Sequence, residues 1–352
     1  MVEASYVGNT GVWWPNGALV NYNVPQFSTL KAYGIDLNNT ADAALLRATL
    51  ATTSVVTRGF KPPYNGFPTS NTLFQSLRPY PQFTSGLAAV DAPLNDTWYD
   101  ALQSKVTKRF SHGIDATYSF TFQKSLTGAN VQDVFNRQTA KGLDSSDQKF
   151  SNVIAVTYTV PKMKGINGIL AYTLSDWQIG TILTYASGFP IAAPAAQNNL
   201  ATAIGQSANA IRNPGVPLFL QDLNSGEVDP RRGFYLNPAA WTDPLPGQFG
   251  GPNIYSDYRF QRKPNEAMNF GRNFRIGERV TAQARVEFTN IFNRIRPGNP
   301  SSTNALAQQV QASKDLTAAN NITNTNNTGF GAISWIGTGG SRQGQMVFRL
   351  TF

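Results

Sequence analysis

The 352-residue chain contains no cysteine and a single histidine. The first absence removes disulfides, thiolate nucleophiles and zinc–thiolate centres, although it fixes no compartment, since many exported bacterial proteins also lack cysteine. The second leaves His112 alone to serve any histidine triad or metal centre. It falls in the turn SHG (111–113), where a polar turn residue is the simpler explanation. Charge is scarce too: 14% of residues are charged, against about 25% in ordinary soluble domains, which hints at surfaces that do not meet bulk water. No run approaches the roughly 20 apolar residues of a membrane helix. The start, MVEASYVGNTG, lacks the basic and apolar regions of a signal peptide. Neither absence excludes a β-barrel, whose strands span a bilayer with about 9 to 11 residues each.

Other functions are excluded by what fails to assemble. The net charge is +9, yet Lys and Arg are scattered, with nothing denser than pairs such as Lys108-Arg109 and Arg231-Arg232, so no nucleic-acid partner is expected. GTGGSRQG (337–344) puts Arg342 where a dinucleotide fingerprint needs its third glycine, and a strand follows it instead of a helix. DSSD (144–147) lacks the ligand spacing of a calcium loop. No catalytic residue, metal or cofactor is therefore expected, and the chain does not read as an enzyme.

What is present is alternation. In VTAQARVEF (280–288), Val280, Ala282, Ala284, Val286 and Phe288 are apolar while Thr281, Gln283, Arg285 and Glu287 are polar, so a strand there has one oily and one wet face. Seven further segments read as strands: 2–7, about 97–110, 114–122, 152–160, about 172–185, about 265–274 and 345–352. Their connections alternate between short turns (SHG; PKMKGINGI, 161–169; RIGER, 275–279) and long segments (about 8–96, 125–148, 187–264 and 294–340). Compact soluble domains seldom repeat such long connections, whereas outer-membrane barrels pair short periplasmic turns with long extracellular loops. FSTLKAYG and TADAALLRATLA, in the first long segment, have helical composition. ITNTNNTGFG (322–331) reads as a flexible surface loop.

The polar faces carry mostly Thr, Ser, Gln and Asn with isolated charges, which suits a polar lumen better than a solvated sandwich face. Lys105, Arg109, Gln283, Arg285 and Glu287 are expected to face that lumen. Trp98, Tyr99 and Phe110 bracket one strand and Trp177 and Tyr185 another, as in an interfacial girdle. The alternative is a secreted or periplasmic β-sandwich in which the same aromatics fill a core.

Several stretches add a family resemblance: ASYVGNTG near the start, LRPYPQF (77–83), TWYDALQSKVTKRFSHGIDATYSFTFQKS (97–125), DWQIGTILTYASGFP (176–190), YLNPAAW (235–241) and RVEFTNIFNR (285–294). In content and order they resemble the barrel of TonB-dependent outer-membrane receptors of the Oar-like group. The resemblance implies an all-β, antiparallel transmembrane β-barrel of 22 strands, of which residues 1–352 supply about eight meander strands from its C-terminal part. It also implies energised uptake of a large nutrient such as an oligosaccharide, peptide or metal chelate. The plug domain and TonB box through which the TonB energy complex would act, and the signal peptide, are not visible here, so the chain reads as a fragment inactive in transport alone. Outer-membrane lipid is an implied partner. Phe348, Leu350 and Phe352, spaced by two, resemble the terminal signal read by the barrel assembly machinery. Substrate contact is expected from loop aromatics, with Trp13, Trp14, Tyr235, Trp241, Tyr255 and Tyr258 as candidates able to stack on planar ligand faces; most loop aromatics, however, only pack their own loop. On the rival reading the same residues would bind carbohydrate in a soluble sandwich.

Overall fold

The computed structural model describes every residue except 16–19, 85–86, 90–91, 162–167, 169–172, 199, 226–232, 277–279, 295–297, 312–326 and 334–339. Eight long strands form one antiparallel sheet: β1 (Val2–Pro15), β2 (Pro93–Ser111), β3 (Ile114–Thr127), β4 (Phe150–Thr159), β5 (Trp177–Ala186), β6 (Asn265–Ile276), β7 (Val280–Thr289) and β8 (Gln343–Thr351). Spatial order follows chain order, a pure meander. Among the described residues β1 pairs only with β2 and β8 only with β7, so the sheet is open at both edges.

All eight expected strands are present, and the first three are longer than alternation alone indicates. β1 runs on through Asn9–Trp14, which pair with Tyr99–Asn95 of β2. Hydrophobic alternation is required only where one face is apolar; beyond that band, backbone pairing alone keeps the ribbon extended. The β2–β3 hairpin turns on His112 and Gly113, with φ of 53° and 79°, the left-handed pair that a two-residue turn demands. A Cβ on Gly113 would lie 2.3 Å from the Thr159 carbonyl oxygen, so glycine is needed there for space as well as for φ.

Residues directly opposite in an antiparallel pair share a face, and the register carries one apolar face across the whole sheet. Phe120 is opposite Asn152 and Tyr118 opposite Ile154, Ile154 opposite Leu183, Phe270 opposite Ile179 and Val286, and Val286 opposite Met346. On that face β3 (Ile114 to Phe122) and β7 (Val280 to Phe288) each show five uncharged residues in succession. The middles of these two bands are not opposite one another. Thr117, beside Tyr118, leads through Ala155, Ile182 and Ala267 to Thr289, whereas β7's band is centred on Ala284. The offset, about 20 Å along the strands over four spacings of about 4.8 Å, gives a tilt of roughly 45°. A band about 27 Å long on strands so tilted stands about 20 Å high, comparable with the roughly 25 Å apolar belt of outer-membrane barrels.

Most charges on the apolar face sit toward its margins, the exception being Arg272, which is opposite Ala284. Asp100 and Lys124 are opposite each other toward the long-loop end and Lys108 lies near the short-turn end. Arg272 is buried beside the Trp177 and Phe274 rings, 5.9 and 4.8 Å from their centroids. Its guanidinium donates to the Thr173 carbonyl at 3.1 Å, reaching back to the β4–β5 connection as a long side chain does when its head seeks a polar boundary. Of the expected girdle, Trp98 is on the apolar face, but Tyr99 is turned to the polar one, where its hydroxyl donates to Gln123 Oε1 at 2.6 Å.

All four long connections leave the same end of the sheet, and they fold together. The first holds α1 (Phe27–Ala32), α2 (Thr40–Arg47), α3 (Thr53–Thr57) and α4 (Leu73–Ser76); the first two cover the segments read as helical. In α2, Asn39 caps the amide of Ala41, Asp42 lies in the first turn and Arg47 in the last, each suited to the helix dipole. Leu30, Leu46, Val55 and Leu73 pack with Leu200 and Ile204 of α5 (Leu200–Ile204), which belongs to the β5–β6 connection. A second core joins Ile191, Leu218, Leu236 and Tyr258 of that connection to Ala305 and Phe330 of the β7–β8 connection. Each fully buried Leu or Ile contributes about 1.5–3 kcal/mol. The flexible-loop reading of ITNTNNTGFG is therefore corrected for its described part: Asn327 and Phe330 are buried, and the Asn327 amide donates to the Gly233 carbonyl at 2.8 Å. Polar composition hid this, because Asn can serve as a buried backbone partner. Residues 322–326 lie outside the described residues, as do 162–167 and 277–279 of the expected short turns.

Candidate functional site

The polar face carries mainly hydroxyls, amides and isolated charges, interrupted by Val153, Ala155, Ile182 and Ala267 near the middle of the sheet. Gln283, Arg285 and Glu287 follow one another along β7, with Arg285 NH2 2.7 Å from Glu287 Oε1. Glu287 also accepts from the Gln345 amide across β8, and Gln283 lies between Asn273 and Arg349. Lys105 is opposite Glu3 and Ser119 on the same face. Arg109, exposed near the short-turn end, follows the register break after Lys108. His112 is an exposed turn residue whose Nδ1 lies 2.8 Å from Ser111 Oγ.

The six candidate aromatics divide by burial. Trp13 and Trp14 end β1 and are 72% and 57% exposed. They belong to a strand, at a bulge where the register breaks between Gly11 and Trp14, not to a free loop. Tyr235, Trp241 and Tyr258 are buried in the loop cores, the Trp241 and Tyr258 rings 5.2 Å apart, so in this arrangement they present no open ring face to a ligand and pack their own loops. Tyr255 is half-buried, edge-on to Trp241 at 5.7 Å and beside Arg212. Burial raises the pKa of both Tyr255 and Tyr258, strongly for Tyr258, because the phenolate is the form that loses its hydration. Among the described residues the Tyr258 hydroxyl and the Trp241 indole nitrogen are buried without a hydrogen-bond partner.

Ionic ties that pattern-reading missed hold the cap to the sheet. Asp147, considered in the sequence only as part of DSSD, is an ion-pair partner: Arg259 NH2 reaches its Oδ2 at 2.5 Å, with side chains 14% and 2% exposed. Arg259 NH1 also donates to the carbonyls of Asp147 and Gly188, so one guanidinium joins the β3–β4 and β5–β6 connections. At the rim, buried Glu266 of β6 accepts from Tyr185 at 3.0 Å and from Arg294 at 2.8 Å. Asn290, at φ 49°, turns the chain so that its side chain binds Arg294 and Gly340. A carboxylate in register with Met268 and Phe270 on the apolar face of its strand was the legible signal for Glu266; nothing local marked Arg259.

Where β5 passes into its long connection and that connection returns to β6, a cleft of about 520 Å³ opens between Ser187–Gly188, Phe219–Asn224 and Asp257–Arg262. Gly188 is required at its edge, since a Cβ there would lie 1.8 Å from the Phe260 carbonyl oxygen.

A family model described as an outer membrane beta barrel domain matches residues 1–345. The chain belongs to this family. Comparison with curated proteins and with solved structures gave no match. The sheet is thus part of a transmembrane β-barrel located in the outer membrane. Lipid accounts for the exposed apolar face, on which Tyr6, Leu102, Phe122, Met346, Phe348 and Leu350 are all at least 47% exposed. The sandwich alternative fails on the same face: no second sheet covers Phe120, Phe122, Ala284 or Val286 among the described residues.

Proposed function

We propose that this outer-membrane barrel chain is the C-terminal part of a TonB-dependent receptor of the Oar-like group, importing a large nutrient: an oligosaccharide, a peptide or a metal chelate. The observation that carries the reading is the cap. A simple diffusion pore needs only a polar channel, whereas recognition needs surfaces held in shape before the ligand arrives. Connections that share two cores and a buried ion pair across the mouth of a polar wall supply such surfaces. The open edges of β1 and β8 also support it, because unpaired backbone groups in hydrocarbon cost several kcal/mol each and call for neighbouring strands. On this reading the partners of those edges, the plug and the TonB box belong to the rest of the receptor, Lys105, Arg109, Gln283, Arg285 and Glu287 line the lumen, and Phe348, Leu350 and Phe352 present β8 to the assembly machinery.

The test is uptake by the source bacterium of a labelled malto-oligosaccharide, a labelled oligopeptide and a labelled ferric chelate, with the gene intact or deleted. Deletion should abolish saturable uptake of one class, and a protonophore should abolish the same component. Uptake that persists with the proton gradient collapsed would refute energised import.

A further inference from the structure

We propose that the cleft at the β5–β6 mouth binds a neutral oligosaccharide. This rests on the import reading for its biological role and names the substrate class, but the binding itself can be measured without transport. Its size falls within the roughly 300–1,000 Å³ of small-molecule sites. Phe219 and Phe260 offer apolar area suited to the C–H face of a sugar ring, and the segment Gln221–Asn224 supplies amide and carboxylate groups suited to its hydroxyls.

Those polar groups are held at one end by the protein and open at the other. Gln221 Nε2 donates to the Phe234 carbonyl at 3.2 Å, leaving its own carbonyl oxygen. Asp222 Oδ1 accepts from the Asn224 amide at 2.8 Å, leaving Oδ2. Asn224 Oδ1 accepts from the Arg262 backbone N–H at 2.8 Å while its side-chain amide makes one long bond, 3.4 Å, to Asp222 Oδ1, which leaves its second N–H. Side chains fixed in this way lose little further entropy when they bind a ligand.

The charge pattern separates a neutral glycan from the other two nutrient classes. Arg259, on the floor, is neutralised by Asp147 with its donors committed to Asp147, Gly188 and Ser256. Asp257 is paired with Arg212 at 2.9 Å. The remaining charges, Asp222 and Arg262, balance. An anionic ferric chelate would call for an excess of free cations, which the described lining of the cleft does not have. An oligopeptide would call for a strand edge or pockets for its side chains; the one strand in the lining among the described residues, Ile254–Arg259, is short and paired with Pro190–Ala192 on one side, and a hexa-alanine probe tests its other edge.

The experiment measures equilibrium binding to the full-length protein in native outer-membrane vesicles. The probes are maltohexaose, cellohexaose, xylohexaose and mannohexaose, with hexa-alanine and ferric citrate alongside. At least one neutral hexasaccharide should bind saturably and equally at low and high salt. Asp222→Ala and Gln221→Ala, both at exposed positions, should each weaken it about tenfold, as the loss of one good hydrogen bond does, without altering heat-modifiable migration. The proposal is overturned if no hexasaccharide binds, if only the peptide or chelate binds, or if hexasaccharide binding is indifferent to both substitutions. Intact glycan binding with uptake unaffected by the protonophore would instead sink the import reading and leave the site standing.

Discussion

Val286→Arg measures the face assignment in energetic terms. Val286 lies between Phe270 and Met346 on the apolar face, two residues from the band's middle at Ala284. At a tilt near 45°, two residues correspond to about 5 Å of height. An arginine there remains well inside the belt, and the expected cost is about 2–3 kcal/mol, just below the upper figure for a barrel midplane. Arg285, one residue away, points to the polar wall and pairs with Glu287 while 39% exposed. Arg285→Gln removes a solvated ion pair worth about 0–1 kcal/mol. Both variants, introduced into the complete protein and unfolded with urea from lipid vesicles, should show midpoints separated by the difference, with Val286→Arg the weaker. Equal losses, or the reverse order, would refute the claim that hydrocarbon covers the Val286 side of the sheet.

Three further outcomes are expected. Arg259→Ala leaves Asp147 buried and unpaired and should cost the cap about 3–5 kcal/mol, read as faster proteolysis of the 128–149 and 187–264 connections; Arg259→Lys, without the forked donors, should recover only part. Tyr258→Phe removes a buried hydroxyl without a partner among the described residues and should leave stability unchanged or raise it by about 1 kcal/mol. Because burial raises its pKa above the ordinary value of 10.0, the wild-type cap should hold its stability up to that pH and lose it as pH rises further, when the unfolded phenol ionises first; Tyr258→Phe should flatten this alkaline loss in near-ultraviolet circular dichroism melts. Since the chain has no cysteine, Phe120→Cys and Thr121→Cys can be compared directly: a charged maleimide should label the second and spare the first in intact vesicles, and equal labelling would contradict opposite faces.

Strand number, order and facing were legible because each depends on a local period of two that the membrane enforces on every strand. The cap was not legible, because its cores are assembled from segments far apart in the chain. Leu46 meets Leu200 and Leu218 meets Phe330 only once the meander has brought their strands together. Polarity misled twice: Asn327 reads as a loop residue and is buried, and Asp147 reads as half of an acidic pair and closes an ion pair with a residue 112 positions away. The aromatics Tyr235, Trp241 and Tyr258 looked like ligand platforms because sequence composition cannot distinguish a ring that covers a core from one that offers a face.

Sharing cores among connections restricts how such a mouth can change. A segment transplanted alone from a relative would arrive without the leucines that meet it from its neighbour, and would leave that neighbour's own leucines uncovered. Altered specificity is therefore expected to travel in sets, with the 16–92, 187–264 and 290–342 stretches exchanged together, while point changes confined to the cleft lining adjust preference within a set.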